Sequence, residues 1–347
     1  MAKFLLGVLV AVVTGVLVDL LTGGTTRLLR ILRVRLSGAR SISYDPVEDR
    51  LYMLGEWSPA RRLTADRLVT RTVTMADRSP SSLVDPHVLT QAKAANAGHS
   101  GDIVYLSSFR LDHRESADTQ ECRVTLSESD YVEVRAIEHL RKSSPGHLAR
   151  CDEALARGPR AYLEQAVPSS IAINILPVIE RTDVLCAQRS GAVDNGVGLW
   201  TIGIFEAMKR SDPHTPGRSE DFFGLAYRAL EEELGLRPQD CGQIELTWLG
   251  IYGPLLRGHV VAVVPVRLGR ADLIDRAHSA DSSYEHLSFD WLALRRETVL
   301  EFIDAPRVAR PDEVGSALEV SDRLWIEQSR LALREAWRFR SCLDIES

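Results

Sequence analysis

Three patterns of apolar and polar positions follow one another along the chain. The first is unbroken: FLLGVLVAVVTGVLVDLL, over 4–21, carries a single charge, Asp19. The second begins near residue 41. There RLYMLGEW (50–57) and RLVTRTVTM (67–75) alternate in the manner of half-buried strands. PHVLTQAKAANAG (86–98) has proline at its start and glycine past its end, as a short helix does. DIVYLSSFRLD and ECRVTLS predict further strands, and SESDYVEVRAIEHLRK opens on polar caps before helical periodicity. A second helical region, 146–167, is interrupted by Gly158-Pro159.

The third pattern runs from Ser169. SIAINILPVIER, TDVLCAQRS and GLWTIGIFEAM predict strands, and the polar loop KRSDPHTPGRSED leads into a helix, FFGLAYRALEEELGL. IELTWLGIYG and HVVAVVPVRL add two strands, SFDWLALRRETVLEFI runs from strand into helix, and 319–340 predicts a long amphipathic terminal helix. Strands and helices mix without strict βαβ alternation, which predicts an α+β fold with a mixed sheet. The expected organisation is a transmembrane anchor over 1–24 and a basic amphipathic segment over 25–40. An α+β extension follows over 41–165, and a second domain, with its C-terminal helix, over 166–347.

The run 4–21 would span about 27 Å as a helix, enough for a hydrocarbon core. A cleavable signal peptide fits poorly, because no A-x-A site follows. Arg27, Arg30, Arg33 and Arg35 lie beyond the run and Lys3 alone before it. That bias predicts a single-pass membrane protein with the rest of the chain in the cytoplasm. A buried or self-associating helix is the other reading of the run. The segment Thr25–Leu36 suits an anionic leaflet or, equally, packing on a folded domain.

Composition changes the picture only a little. Of 347 residues 45% are hydrophobic and 26% charged, so a sizeable core is available. A net charge of −6 argues against a nucleic-acid polymer as partner and leaves a small nucleotide held through a metal open. Five scattered cysteines, without a CxxC, make neither a disulfide framework nor a zinc site. The cluster Asp112-His113-Arg114-Glu115 has the composition of a loop.

Candidate chemistry concentrates in RALEEELGL, 228–236. On a helix starting near Ser219, Phe223, Tyr227, Leu230 and Leu234 fall on one stripe, which predicts burial. Ala229, Glu232 and Glu233 share a neighbouring stripe, with Glu231 about 200° away from position 229. Two carboxylates in a last turn repel each other and face the negative end of the macrodipole. A divalent cation would relieve both penalties, and carboxylate oxygens suit Mg²⁺ or Mn²⁺. A solvated acidic face is the alternative.

Arg228 to Leu236 resembles the tail of the Nudix box, R-E-U-x-E-E-x-G-U with U aliphatic, and departs from it only at Ala229, where the family has glutamate. Glu220 stands at the spacing of the box's upstream glutamate, while the box glycine is replaced by His214, with Gly217 close by. CAQRSGAVDNGVGLWTIGIFEAM is similar to the strand, arginine-serine turn and tryptophan strand that precede the box. The family's Gly-Gly appears as Ile204-Phe205, and an insertion of about ten residues follows Glu206. The resemblance spans roughly 169–305. It implies a Nudix-type α/β/α sandwich with a mixed sheet, preceded by the membrane helix and the extension.

It also implies a function: Mg²⁺-dependent attack of water on phosphorus in a nucleoside diphosphate linked to another moiety. The metal ligands would be Glu232 and Glu233, with Glu220 or Glu206 as a further one. Arg228 would orient the helix, and Gly235 would close it. Ala229 cannot take a proton, so the resemblance points to Glu285 or His286, in SSYEHLSFDW, as the base. The other reading is a degenerate domain that binds a nucleotide as a sensor or effector through the membrane segment, a layout similar to that of bacterial conflict systems. The expected partners are a nucleotide-derived small molecule and, through 4–21, a membrane, with an oligomer left open.

Overall fold

The computed structural model describes residues 51–340, apart from 59–60, 78–80, 82, 96–101, 114–119, 192–196, 210–219, 254, 282, 305–324 and 327. The expected membrane segment 4–21 and the basic segment 25–40 lie outside the described residues. Among the described residues no helix is long and apolar enough to cross a membrane.

A mixed sheet organises residues 166–340 together with the strand Leu51–Glu56. Its strands are β1 (Leu51–Glu56), β5 (Ile171–Ile179), β6 (Asp183–Arg189), β7 (Trp200–Ile202), β8 (Ile204–Ala207), β9 (Glu245–Tyr252), β10 (Arg257–Val266) and β11 (His286–Ala293). They are ordered β1-β9-β10-β5-β6-β11, with β7 on β6 and β8 on β5. Among the described strands of this sheet, only the β10–β5 pairing is parallel. A smaller sheet, in the order β2-β4-β3, joins β2 (Leu68–Val73), β4 (Gln120–Asp130) and β3 (Asp102–His113), so Asp112 and His113 end a strand.

The segment 198–208 is not the single strand its apolar run predicts. It breaks at Gly203, whose φ is 77°. A Cβ there would stand 2.0 Å from the Ile175 carbonyl oxygen, so only glycine lets the chain cross from β6 to β5. Strand β1, from the expected extension, forms the edge of the larger sheet through β9. Ion pairs join the same two parts of the chain: Arg62 to Glu245 at 2.7 Å and Arg257 to Glu138 at 2.7 Å. Arg141 adds bonds to the Leu255 carbonyl and to the Tyr162 hydroxyl. One apolar cluster correspondingly runs from Leu54 and Phe109 through Ile137 to Ile173 and Leu230.

The helices are α1 (Pro86–Ala95), α2 (Tyr131–Ser143), α3 (Pro145–Ala156), α4 (Pro159–Leu163), α5 (Phe222–Leu234), α6 (Arg270–His278), α7 (Arg296–Asp304) and α8 (Ser329–Phe339). Helix α5 lies on β5 and β8, with Leu225, Ala226 and Ala229 in the same cluster as Ile171, Ile173 and Ile175. Helix α8 packs on β5, β7 and β10. It is shorter than its amphipathic pattern predicts. Trp325 instead bridges Trp200 in extended conformation, and Trp325, Leu331 and Leu333 are buried in the core. The described cysteines 122, 151, 186 and 241 are buried free thiols.

His259 on β10 sits among the rings of Phe205, Trp248 and Tyr252, with centroids 5.6–5.9 Å away. Its buried Nε2 has no hydrogen-bond partner, and burial pulls the imidazole down to about 3 from the ordinary 6.5. An unfolded chain binds that proton more readily than the folded one. The contribution of His259 to stability is therefore complete above about pH 6.5 and falls by roughly 1.4 kcal/mol per pH unit as pH drops toward 3. Urea titrations across that range should show this loss, and His259→Phe should flatten it. Gly203→Ala should destabilise at every pH, by about 2 kcal/mol or more.

Candidate active site

Helix α5 carries the box, and its ends show why it forms there. The Asp221 side chain accepts from the Gly224 amide at 2.8 Å, which caps the N-terminus two residues later than the pattern predicts. At the other end Gly235 takes φ 62°, ψ 21°, and the Leu236 amide donates to the Leu230 carbonyl at 3.0 Å. That is a Schellman closure, which favours glycine.

The buried stripe is rotated from the predicted one. Phe222, Leu225, Ala226, Ala229, Leu230, Glu233 and Leu234 are buried, while Tyr227 is exposed and Phe223 half-buried. The reason is tertiary. Two faces of the helix are covered, one by apolar side chains of the sheet and one by a polar network, so Glu233 goes inside with the leucines. Glu231 is exposed.

Arg228 is the hub of that network and is 1% exposed. Its Nε donates to Glu220 Oε1 at 2.6 Å and its Nη2 to Glu220 Oε2 at 3.1 Å. Nη1 donates to Glu206 at 2.7 Å and to Glu232 at 3.0 Å, and Nη2 also reaches the Ala207 carbonyl at 2.9 Å. Burial opposes the charge, but the bonds to Glu220 and Glu206 outweigh it and hold the guanidinium firmly protonated. Glu220 accepts a further bond from the Lys209 amide at 3.1 Å, so both its oxygens are committed. Lys209 Nζ approaches Glu232 at 3.3 Å.

On the far side of Glu232 lies a second pair. Glu233, 0% exposed, meets His286 with Oε2 and Nε2 2.7 Å apart. The distance suits an ion pair, yet burial favours the neutral form of each partner. Burial first, then Glu206, pushes Glu233 up to about 8; burial first, then Arg189, pulls His286 down to about 4. We read the contact as one shared proton, carried by the carboxyl and donated to the imidazole. Glu233 Oε1 and His286 Nδ1 remain buried without a hydrogen-bond partner.

The structure therefore brings Glu206, Glu220, Glu232, Glu233 and His286 together around Arg228, with Glu285 beside them. Glu285 is half-buried; burial, then Glu233, raises its carboxyl. Burial likewise raises Glu206 against the pull of Arg228. The structure adds Arg189 and Lys209, which the box spacing does not single out. Arg189 ends β6; burial lowers its ionisation, and Glu285 and Glu233 offset that only in part. The arginine-serine turn was its only sequence signal. Ala229 is enclosed in the core.

Carboxylate oxygens are the donors that Mg²⁺ or Mn²⁺ takes. The buried, unpartnered Glu233 Oε1 and the surplus of carboxylates fit such an ion. Among the described residues, however, no group of three or more potential ligands is already gathered as a cage. Glu206 and Glu232 accept from Arg228 instead.

No protein-family model matches the chain, and no curated protein matches it. Among solved structures, it is similar to a MutT/nudix family protein from Enterococcus faecalis, at 15% identity and TM-score 0.30, over 56% of this chain and 74% of that one. An Ap4A hydrolase from C. elegans is 16% identical, with TM-score 0.26, over 40% and 88% of the two chains. The NUDIX domain of Shewanella oneidensis NrtR, solved with ADP ribose, is 14% identical, with TM-score 0.26, over 55% and 97%. These structures are of the Nudix/MutT type, the family whose box the segment 228–236 resembles.

Removing the hub should expose its energetic weight. Arg228→Ala leaves Glu220 buried without its partner and should cost about 3–5 kcal/mol in urea denaturation. Adding Glu220→Gln should restore part of that loss, because it removes the stranded charge.

Proposed function

We propose that this chain is a membrane-anchored Nudix-type hydrolase that cleaves a nucleoside diphosphate linked to another moiety, with Mg²⁺ or Mn²⁺. One observation carries the reading: an excess of carboxylates, from β8, the segment before α5 and the last turn of α5, with the Glu233 Oε1 buried and unpartnered. Glu232, Glu233 and Glu206 would hold the ion, whereas Glu220 is committed to orienting Arg228. A bound ion would supply positive charge to offset what develops on the phosphoryl oxygens.

The chain's own groups divide the remaining work. Arg228 fixes the helix against β8, and so the direction in which Glu232 and Glu233 point. His286 positions Glu233 through its Nε2. Glu285 is the proton acceptor: its carboxyl is raised, which increases its affinity for the proton of an attacking water. Its backbone is steadied by the Ser190 amide, which donates to the Glu285 carbonyl at 2.8 Å. The apolar run 4–21 and the arginines after it support a single-pass anchor with the site on the cytoplasmic side.

A second reading has its own support. Glu206 and Glu232 already accept from Arg228, Lys209 adds to Glu232, and Ala229 offers no carboxylate. On that reading the domain binds a nucleotide without cleaving it and signals through the membrane segment. Incubating the protein with Mg²⁺ and a panel of dinucleoside polyphosphates, ADP-ribose and nucleotide sugars separates the two. The hydrolase reading expects turnover of at least one compound, reduced roughly 10²-fold or more in Glu233→Gln. A nucleotide-induced thermal shift without product would assign the sensor.

A further inference from the structure

The acid cluster accounts for a phosphate chain held through a cation, but not for what recognises the rest of a nucleotide. A candidate stands at its rim. Tyr284 is 63% exposed, the highest exposure among the large apolar side chains of the described residues. Other tyrosines of the fold, such as Tyr105, Tyr162 and Tyr252, are buried. An exposed ring contributes little to folding, so packing does not explain it.

The ring is exposed, but its backbone is not loose. Tyr284 lies in the short turn Ser283–Glu285, just before β11. The Ser190 hydroxyl donates to the Tyr284 carbonyl at 2.5 Å, and the Ser190 amide donates to the next carbonyl, that of Glu285, at 2.8 Å. Two residues on, His286 holds Glu233. The turn is thus fastened to the end of β6 on one side and to the acid cluster on the other. Such anchoring reduces the entropy lost when a ligand settles on the side chain.

The field at the phenol agrees with this placement. Glu285 first, then a little burial, then Glu233, Glu206 and Glu232 raise its ionisation above the ordinary value. The phenol therefore stays neutral beside the carboxylates. A neutral π-face beside an anionic site suits a flat, uncharged aromatic group attached to a phosphate chain.

We propose that Tyr284 is a stacking platform for the nucleobase of the ligand, a base subsite adjoining the phosphate subsite at Glu232 and Glu233. This rests on reading the acid cluster as a nucleotide site. Stacking is tolerant of base identity, so the subsite selects nucleotides over bare polyphosphates rather than one base over another.

Calorimetric titration of the full-length protein with ADP and with inorganic pyrophosphate, both with Mg²⁺, tests it. Tyr284→Ala should weaken ADP binding roughly 10-fold and leave pyrophosphate within about two-fold. Tyr284→Phe, which keeps the π-face and loses the hydroxyl, should bind ADP as the unsubstituted protein does. Unchanged ADP binding in Tyr284→Ala would overturn the proposal, as would equal weakening of both ligands or a Tyr284→Phe loss matching that of alanine. Should the unsubstituted protein bind pyrophosphate but not ADP, the base subsite fails while the phosphate site stands. Should it bind neither, the nucleotide reading of the cluster fails, and the subsite with it.

Discussion

The site depends on one buried guanidinium. Arg228 shares its donors among Glu220, Glu206, Glu232 and the Ala207 carbonyl, and so ties β8, the segment before α5 and the last turn of α5 into one unit. Moving such a group out of water is expensive, and only a nearly complete set of acceptors offsets that cost. Without a substitute cation, each bond lost strands a charge on one side or the other. That is why the helix carrying Glu232 and Glu233 is held in a fixed rotation, with Glu233 inside and Tyr227 outside.

The second consequence concerns charge balance. Glu206, Glu220, Glu232, Glu233 and Glu285 outnumber Arg189, Lys209 and Arg228. The protein answers this excess by raising Glu206, Glu233 and Glu285 toward their neutral forms and by pairing Glu233 with a neutral His286. A cation binding there would displace the protons of such carboxyls to solvent, and a carboxylate whose proton affinity is raised takes a proton from water more readily. The same physics serves a hydrolase and a binding site. What separates the two is whether Glu206 and Glu232 exchange Arg228 for a metal.

Much of this was legible in the sequence. The order of strands and helices followed the apolar rhythm, Gly235 announced the end of α5, and Gly158-Pro159 the break between α3 and α4. The box spacing singled out Arg228, Glu220, Glu232 and Glu233, and the structure brings them together with Glu206 and His286. What was not legible depends on contacts distant in sequence. The break at Gly203 arises from the Ile175 carbonyl, and the edge position of β1 from pairing with β9, nearly two hundred residues on. Helix α6 carries mostly polar residues, so its periodicity was weak. The predicted stripe through Tyr227 assumed that only apolar side chains turn inward, and Glu233 shows otherwise. Lys209 had no motif to mark it and Arg189 only the arginine-serine turn; their roles come from where β6 and β8 end.

The central claim is that the carboxylates of α5 and β8 form a site for a divalent cation. Crystals of the protein soaked in Mn²⁺ and measured near the manganese edge test it most directly. The account predicts an anomalous peak among Glu206, Glu232 and Glu233, with Arg228 still bound to Glu220. Full Mn²⁺ soaking with no peak there, and Glu206 and Glu232 still bound to Arg228, would contradict it.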